Sequence, residues 1–180
     1  MVYLFMADGF EEVEGLTVVD ILRRAEVGIQ TVSIMKRKNV ISSHQVEIVA
    51  DLLFEELADD AEMLILPGGI PGTPNLKAHE GLDKLIRESA EKGIYLAAIC
   101  AAPTVYGSKG LLQGKKATCF PGMESELTGA KVSYDSVVTD GNFITSRGMG
   151  TAIDFGLKLV EILKGKEMAD SIARKIVYER

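Results

Sequence analysis

With 180 residues, 47% apolar and 26% charged, the chain has the make-up of an ordinary folded globule long enough to bury a substantial core. Its net charge of −6, with no basic run beyond Lys36-Arg37-Lys38, lacks the footprint of a nucleic-acid binder and suits an anionic membrane no better. No apolar run reaches the length of a membrane span, and Met1-Val-Tyr-Leu-Phe-Met6 lacks the basic flank of a signal peptide, so a reducing, cytoplasmic setting is expected.

Short apolar runs alternate with amphipathic stretches, the pattern of β-α units around a mostly parallel sheet. Val2–Met6 reads as a buried strand. Residues 12–25 read as a helix, with Gly15, Val18, Val19, Leu22 and Ala25 on one face. Residues 29–35 and 46–49 read as strands around a polar turn at 39–45. Met63–Leu66 is a further buried strand that runs into Pro67-Gly68-Gly69, and 80–92 is a helix with Leu82, Leu85, Ile86 and Ala90 inward. The strand at 94–99 leads to Cys100, and Pro103–Ser108 opens the helix behind it. Short strands are expected at 116–119, 137–138 and 143–145, and closing helices at 151–163 and 167–177. No internal repeat or Pro/Gly/Ser-rich linker interrupts this order, so one domain over residues 1–180, folded as a three-layer α/β/α sandwich, is the expectation.

In such sheets, ligands bind at the carboxyl ends of the strands. The unusual residues gather there. In Tyr95-Leu-Ala-Ala-Ile-Cys100-Ala-Ala-Pro-Thr104 a strand turns into a helix through a cysteine with small neighbours, as a strained nucleophile elbow requires. Backbone N–H groups at the following helix start favour thiolate over thiol. The same segment also fits a packed core cysteine. Glu14 sits on an otherwise apolar helix stripe with residues 18, 21, 22 and 25, one turn from the same sheet edge. Burial raises a carboxyl pKa and the helix start lowers it; if burial prevails, Glu14 is a proton donor to the sulfur, and otherwise it is a capping residue like Glu11 and Glu12. Gly68 and Gly69 offer unobstructed backbone N–H groups, and with the N–H of Ala101 they suit an oxyanion hole for carbonyl chemistry.

The remaining polar residues read more plainly. His44 in its polar turn reads as solvated, and His79 as a cap or surface residue before the helix at 80. Cys119 on a short strand reads as a packed thiol, and Asp20 with Arg23 and Arg24 as surface ion pairs. Two cysteines and two histidines at these spacings suit neither a disulfide framework nor a zinc site, so no metal and no cofactor are expected.

Together, in this order, Glu11-Glu-Val-Glu14, Val19-Asp-Ile-Leu-Arg-Arg24, Leu66-Pro-Gly-Gly69, Ala97-Ala-Ile-Cys-Ala-Ala-Pro103, Gly114-Lys-Lys-Ala-Thr118 and Thr145-Ser-Arg-Gly148 resemble the ThiJ/PfpI superfamily. Within it, the chain resembles the branch around the parkinsonism-associated protein (DJ-one) and bacterial YajL. The resemblance implies a flavodoxin-like, class I glutamine amidotransferase-like sandwich that forms a homodimer. It implies that Cys100 is an oxidation-prone nucleophile, Glu14 its protonated partner, and the Gly68, Gly69 and Ala101 amides an oxyanion pocket. It further implies action on small reactive carbonyls or glycated groups, of the glutathione-independent glyoxalase or protein deglycase type. The alternative it implies is a non-catalytic oxidative-stress sensor or redox-regulated chaperone that works through Cys100 oxidation. In place of an arginine that relatives contribute from the partner subunit, the matching turn carries His44, which suggests a role across the dimer. Met149 replaces a proline of the family's glycine-proline-glycine turn. Ala101 stands where protease-type members need a histidine, and no histidine follows His79 to serve an amidotransferase triad, so peptide and amide hydrolysis are not expected.

Overall fold

The computed structural model describes residues 1–179. In chain order its elements are β1 (Val2–Met6), α1 (Glu12–Arg24), β2 (Ile29–Ser33), β3 (Asn39–Ile41), β4 (Glu47–Val49), β5 (Leu52–Leu53), β6 (Met63–Leu66), α2 (Gly72–Ala78), α3 (Glu80–Glu91) and β7 (Tyr95–Ile99). They continue with α4 (Pro103–Ser108), β8 (Lys116–Ala117), β9 (Lys131–Val132), β10 (Val137–Asp140), β11 (Phe143–Ser146), α5 (Ala152–Lys164) and α6 (Lys166–Lys175). Among the described residues the main sheet has seven strands in the order β10-β11-β7-β6-β1-β2-β5. All neighbouring pairs are parallel except β10 with β11.

Strand alternation builds both cores at once. In β1, Val2, Leu4 and Met6 face one layer while Tyr3 and Phe5 face the other. The first layer holds Val18, Ile21 and Leu22 of α1, Phe155 and Leu159 of α5, and Ile172 of α6. The second holds Leu76 of α2, Leu82 and Ile86 of α3, and Val105 and Tyr106 of α4. Both faces of β1, β6 and β7 are therefore buried, which explains their unbroken apolar runs. The result is a flavodoxin-like α/β/α sandwich, with edge strands added outside the β2-β1-β6-β7-β11 frame. Among the described residues no helix is long and apolar enough to cross a membrane.

Several expectations need correction. The polar turn expected at 39–45 contains β3, which pairs antiparallel with β4 in a hairpin outside the main sheet. Its alternation is too short to register against Asn39 and the serines that follow. The expected strand at 29–35 ends at Ser33. There the Ser33 hydroxyl donates to the Arg37 carbonyl and accepts from the Met35 N–H, turning the chain. The strand expected over 116–119 stops at Ala117, so Cys119 lies just beyond it, buried at 1% exposure. Helix α2 has few charges and opens with Gly-Thr-Pro, which hides its periodicity. Of the expected ion pairs, Arg24 meets Asp20, whereas Arg23 reaches across to Asp51.

Candidate functional site

The switch point of the sheet lies between β1 and β6, where the chain leaves neighbouring strands in opposite directions. The start of α1 and the loops after β6 and β7 converge at this carboxyl edge, carrying Glu14, Gly68-Gly69 and Cys100. Cys100 adopts a left-handed φ of 64°, a conformation that costs a non-glycine residue about 1–3 kcal/mol. Hydrogen bonds hold it there. Its N–H donates to the Ser146 carbonyl (3.0 Å), and its carbonyl accepts from the Phe120 N–H (2.8 Å). The buried alanines behind it, Ala101 and Ala102, let the chain turn at once into α4.

Glu14 is 1% exposed on the inward face of α1. The Glu11 carboxylate caps the helix, accepting from the Glu14 N–H at 2.7 Å, which fixes the turn that aims the Glu14 side chain inward. Its Oε2 accepts from the Gly68 N–H at 2.9 Å, while the Gly68 carbonyl accepts from the Glu11 N–H at 2.9 Å. The loop after β6 is thus stitched to the start of α1 on both sides. Only glycine fits position 68: a Cβ would stand 2.6 Å from the Cys100 Cβ and 2.7 Å from Glu14 Oε2. Gly69, at φ 93°, packs so closely that a Cβ would stand 2.4 Å from the Gly9 carbonyl oxygen.

Glu14 and Cys100 are hydrogen-bonded to each other. Burial dominates the acidity of both. It lifts the Glu14 carboxyl to about 7, against hydrogen bonds from Cys100 and Gly68 and with the help of the neighbouring Glu11 charge. For Cys100, burial, the Glu14 charge and the hydrogen bond to Glu14 push the thiol up to about 12, against the Ala101 and Gly69 N–H groups, which lower it. The expected thiolate-favouring elbow is therefore overridden while Glu14 is ionised. Each group's charge state bears on the other's, and the two titrations are coupled. Moving the thiol proton from sulfur to carboxyl removes the opposing charge and turns Glu14 into a donor to the thiolate.

The structure brings Glu14, Gly68, Gly69, Cys100 and Ala101 together. One expected role changes: the Gly68 N–H is engaged by Glu14 and is not free for an oxyanion, which leaves Gly69 and Ala101 as the N–H groups facing the sulfur. His44 stands apart from the sulfur and does not line its crevice. Its side chain is 70% exposed, and Nδ1 lies 3.0 Å from Glu12 Oε1 and 3.2 Å from the Ser43 hydroxyl. His79 caps α3, with Nδ1 accepting from the Leu82 N–H at 3.0 Å. Among the described residues Glu11, Glu12 and His44 bring carboxylate and ring-nitrogen atoms within 4.8 Å of one another, so they are the trio that could share a cation. None of the three lines the crevice over Cys100.

That crevice holds about 370 Å³ and is walled by Ile70, Phe120, Pro121 and Met123. Sequence reasoning passed over these residues. The available signal was an isolated Phe120-Pro-Gly122 apolar turn with no strand or helix to absorb it. Two other hollows, of about 400 Å³ near Asp154 and Lys158 and about 520 Å³ near Leu16 and Arg24, are lined by no cysteine.

Residues 1–162 match the DJ-1/PfpI family. The chain is 39% identical over 164 residues to Protein DJ-1 homolog B of Arabidopsis thaliana, covering 90% of this chain but only 37% of that longer protein. It is 32% identical to the glutathione-independent glyoxalase DJ-1 of Schizosaccharomyces pombe, over 97% of each chain. An oxidized DJ-1 of Toxoplasma gondii superposes with a TM-score of 0.95 at 31% identity, covering 99% of this chain and 98% of that one.

Proposed function

The chain belongs to the DJ-1/PfpI family, and from that premise we propose that it is a cysteine-dependent enzyme acting on small reactive carbonyls, of the glutathione-independent glyoxalase type. The observation that carries this reading is the hydrogen-bonded contact between the buried Glu14 carboxyl and Cys100, at a sulfur faced by two backbone N–H groups. Support also comes from the Schizosaccharomyces pombe relative, which bears that activity in its name.

In the proposed reaction Glu14 holds the proton and the Cys100 thiolate attacks the aldehyde carbon of an α-oxoaldehyde. A C–S bond forms, the carbonyl electron pair moves to oxygen beside the Gly69 and Ala101 N–H groups, and a proton completes the hemithioacetal. The former aldehyde hydrogen leaves as a proton, and one returns to the neighbouring ketone carbon, with Glu14 as the group placed to carry it. The aldehyde carbon is thereby oxidised and the ketone carbon reduced within one molecule, so no external oxidant is needed. Water cleaves the resulting thioester, releasing the α-hydroxy acid and the free thiol. Methylglyoxal would give lactate. On an early glycation adduct, whose former aldehyde carbon already carries a hydroxyl and the protein amine or thiol, the C–S bond would form as that amine or thiol leaves with a proton, which would constitute deglycation.

The test is lactate formation from methylglyoxal by wild type, Cys100→Ser and Glu14→Gln. Wild type should turn over and Cys100→Ser should be inactive; unchanged activity in Cys100→Ser would refute the mechanism.

A second reading, favoured by the oxidized Toxoplasma gondii structure, makes Cys100 a peroxide sensor. Two peroxide equivalents carry the thiolate to sulfinate, with water leaving, and Glu14 and the two N–H groups are placed to bind its oxygens. Turnover separates the readings: a protein that gains two oxygens at Cys100 yet turns over no dicarbonyl would be the sensor.

The proposal includes a homodimer. Val13 and Leu16 on α1 and Val46 and Val49 on the hairpin are exposed apolar side chains on the flank that carries His44. Light scattering that gave the mass of one chain would remove both the dimer and any contribution of His44 across it.

A further inference from the structure

Apart from the thiol, no ionisable side chain is found among the described residues lining the crevice over Cys100. Its walls are the carbon surfaces of Ile70, Phe120 and Pro121 and the side chain of Met123. Ile70 is 62% and Phe120 47% exposed, an unfavourable placement for large apolar groups unless something covers them. Both are tied to the reacting centre. Phe120 is anchored by its N–H to the Cys100 carbonyl (2.8 Å), and Ile70 directly follows Gly69, whose N–H faces the sulfur. Glu14, 1% exposed, is hydrogen-bonded to Cys100 and does not line the crevice. Gly69, Cys100 and Ala101 all line this crevice, so a carbonyl carbon bonded to Sγ, with its oxygen at the Gly69 and Ala101 N–H groups, sets the rest of the substrate against its apolar walls.

Building on the carbonyl addition described above, we infer that the crevice is a specificity pocket for α-oxoaldehydes bearing an apolar alkyl or aryl group. These are preferred over methylglyoxal and over adducts on lysine or arginine. A longer apolar substituent leaves water against Ile70, Phe120 and Met123, and each methylene buried favours the complex. A cationic substituent loses hydration there and meets no carboxylate in return. The reaction is unchanged: the C–S bond forms and breaks, hydrogen passes from the aldehyde to the ketone carbon, water enters, and the longer α-hydroxy acid leaves.

The experiment compares kcat/KM along 2-oxoaldehydes carrying methyl, propyl, pentyl and phenyl groups. In parallel, the rate of Cys100 alkylation is measured with iodoacetamides bearing N-methyl, N-hexyl or a cationic N-aminoethyl group, iodide being displaced as the C–S bond forms. The pocket predicts a rise of at least about tenfold in kcat/KM from methyl to pentyl. It also predicts faster alkylation by the hexyl than by either other reagent, and that ratio should fall toward one in Phe120→Ala and in Ile70→Ala. Flat or declining series in both measurements overturn the pocket while leaving methylglyoxal turnover, and hence the glyoxalase reading, intact. Absence of turnover on every aldehyde together with chain-length-dependent alkylation supports the pocket and overturns the glyoxalase reading instead.

Discussion

The two cysteines are the same residue type packed against opposite core layers, and burial raises the pKa of both thiols, Cys100 to about 12 and Cys119 to about 11. Their surroundings differ in direction. At Cys119 the thiol donates to the Phe120 carbonyl at 3.4 Å, and the charges of Glu124 and Glu126 also oppose ionisation. Of the groups acting on it, Arg147 favours the thiolate, and its effect is the smallest. At Cys100 two backbone N–H groups aim at the sulfur, and the carboxyl that raises its pKa is itself held near neutrality by burial, ready to accept the sulfur's proton. Burial alone makes a thiol inert; burial beside a second buried acid couples the two titrations, so that the charge on one opposes ionisation of the other.

The largest effect that could break this contrast is removal of the sulfur. Cys100→Ser should lower iodoacetamide incorporation by more than about a hundredfold at neutral pH, whereas Cys119→Ser should change it less than about twofold; labelling read by peptide mass would find the contrast false if Cys119 carried the adduct. Next comes the space that lets the pair meet. Gly68→Ala places a Cβ 2.6 Å from the Cys100 Cβ and 2.7 Å from Glu14 Oε2, so the pair must separate. A fall of at least about tenfold in Cys100 alkylation is expected, together with a lower Tm. An unchanged alkylation rate would mean that the contact with Glu14 is dispensable.

Glu14→Gln sharpens the contrast by sign. If the carboxyl serves as donor to the thiolate, the weaker amide donor should move the midpoint of the alkylation pH profile upward by about one unit. If Glu14 acts mainly as a negative charge, the midpoint should fall. The same variant tests linkage. A folded carboxyl at about 7, above its unfolded value near 4.5, stabilises the fold below the unfolded pKa and loses that contribution as pH rises through the folded one. Wild type should therefore lose up to ~3 kcal/mol relative to Glu14→Gln between about pH 4.5 and 7, in urea titrations at several pH values. The smallest effect concerns the exposed flank. The His44–Glu12 contact is 70% exposed on the histidine side, so His44→Ala should shift stability by less than about 1 kcal/mol.

The layers of the sandwich were legible in the sequence because both-face burial writes itself as unbroken apolar runs in β1, β6 and β7, and one-face burial as 3.6-residue stripes in α1 and α3. Cys100 and Glu14 were legible for a related reason: each breaks a local rule, a polar atom on an apolar stripe or at the end of a buried strand. The β3-β4 hairpin was not, since its strands are short, polar and paired only with each other. Nor was the partner of Gly68, because a backbone N–H carries no sequence signature of its own.

The amino-acid order by itself determined which residues are driven inward, which strands must lie parallel between helices, and that a thiol and a carboxyl share one sheet edge. Only the tertiary structure decided how those groups face one another: that Glu11 caps the helix bearing Glu14, that Gly68 donates to that carboxylate instead of to a substrate, and that Ile70, Phe120 and Met123 wall the sulfur. Periodicity encodes burial along one element, whereas hydrogen-bond direction and the shape of a crevice depend on ångström-scale distances between elements far apart in the chain.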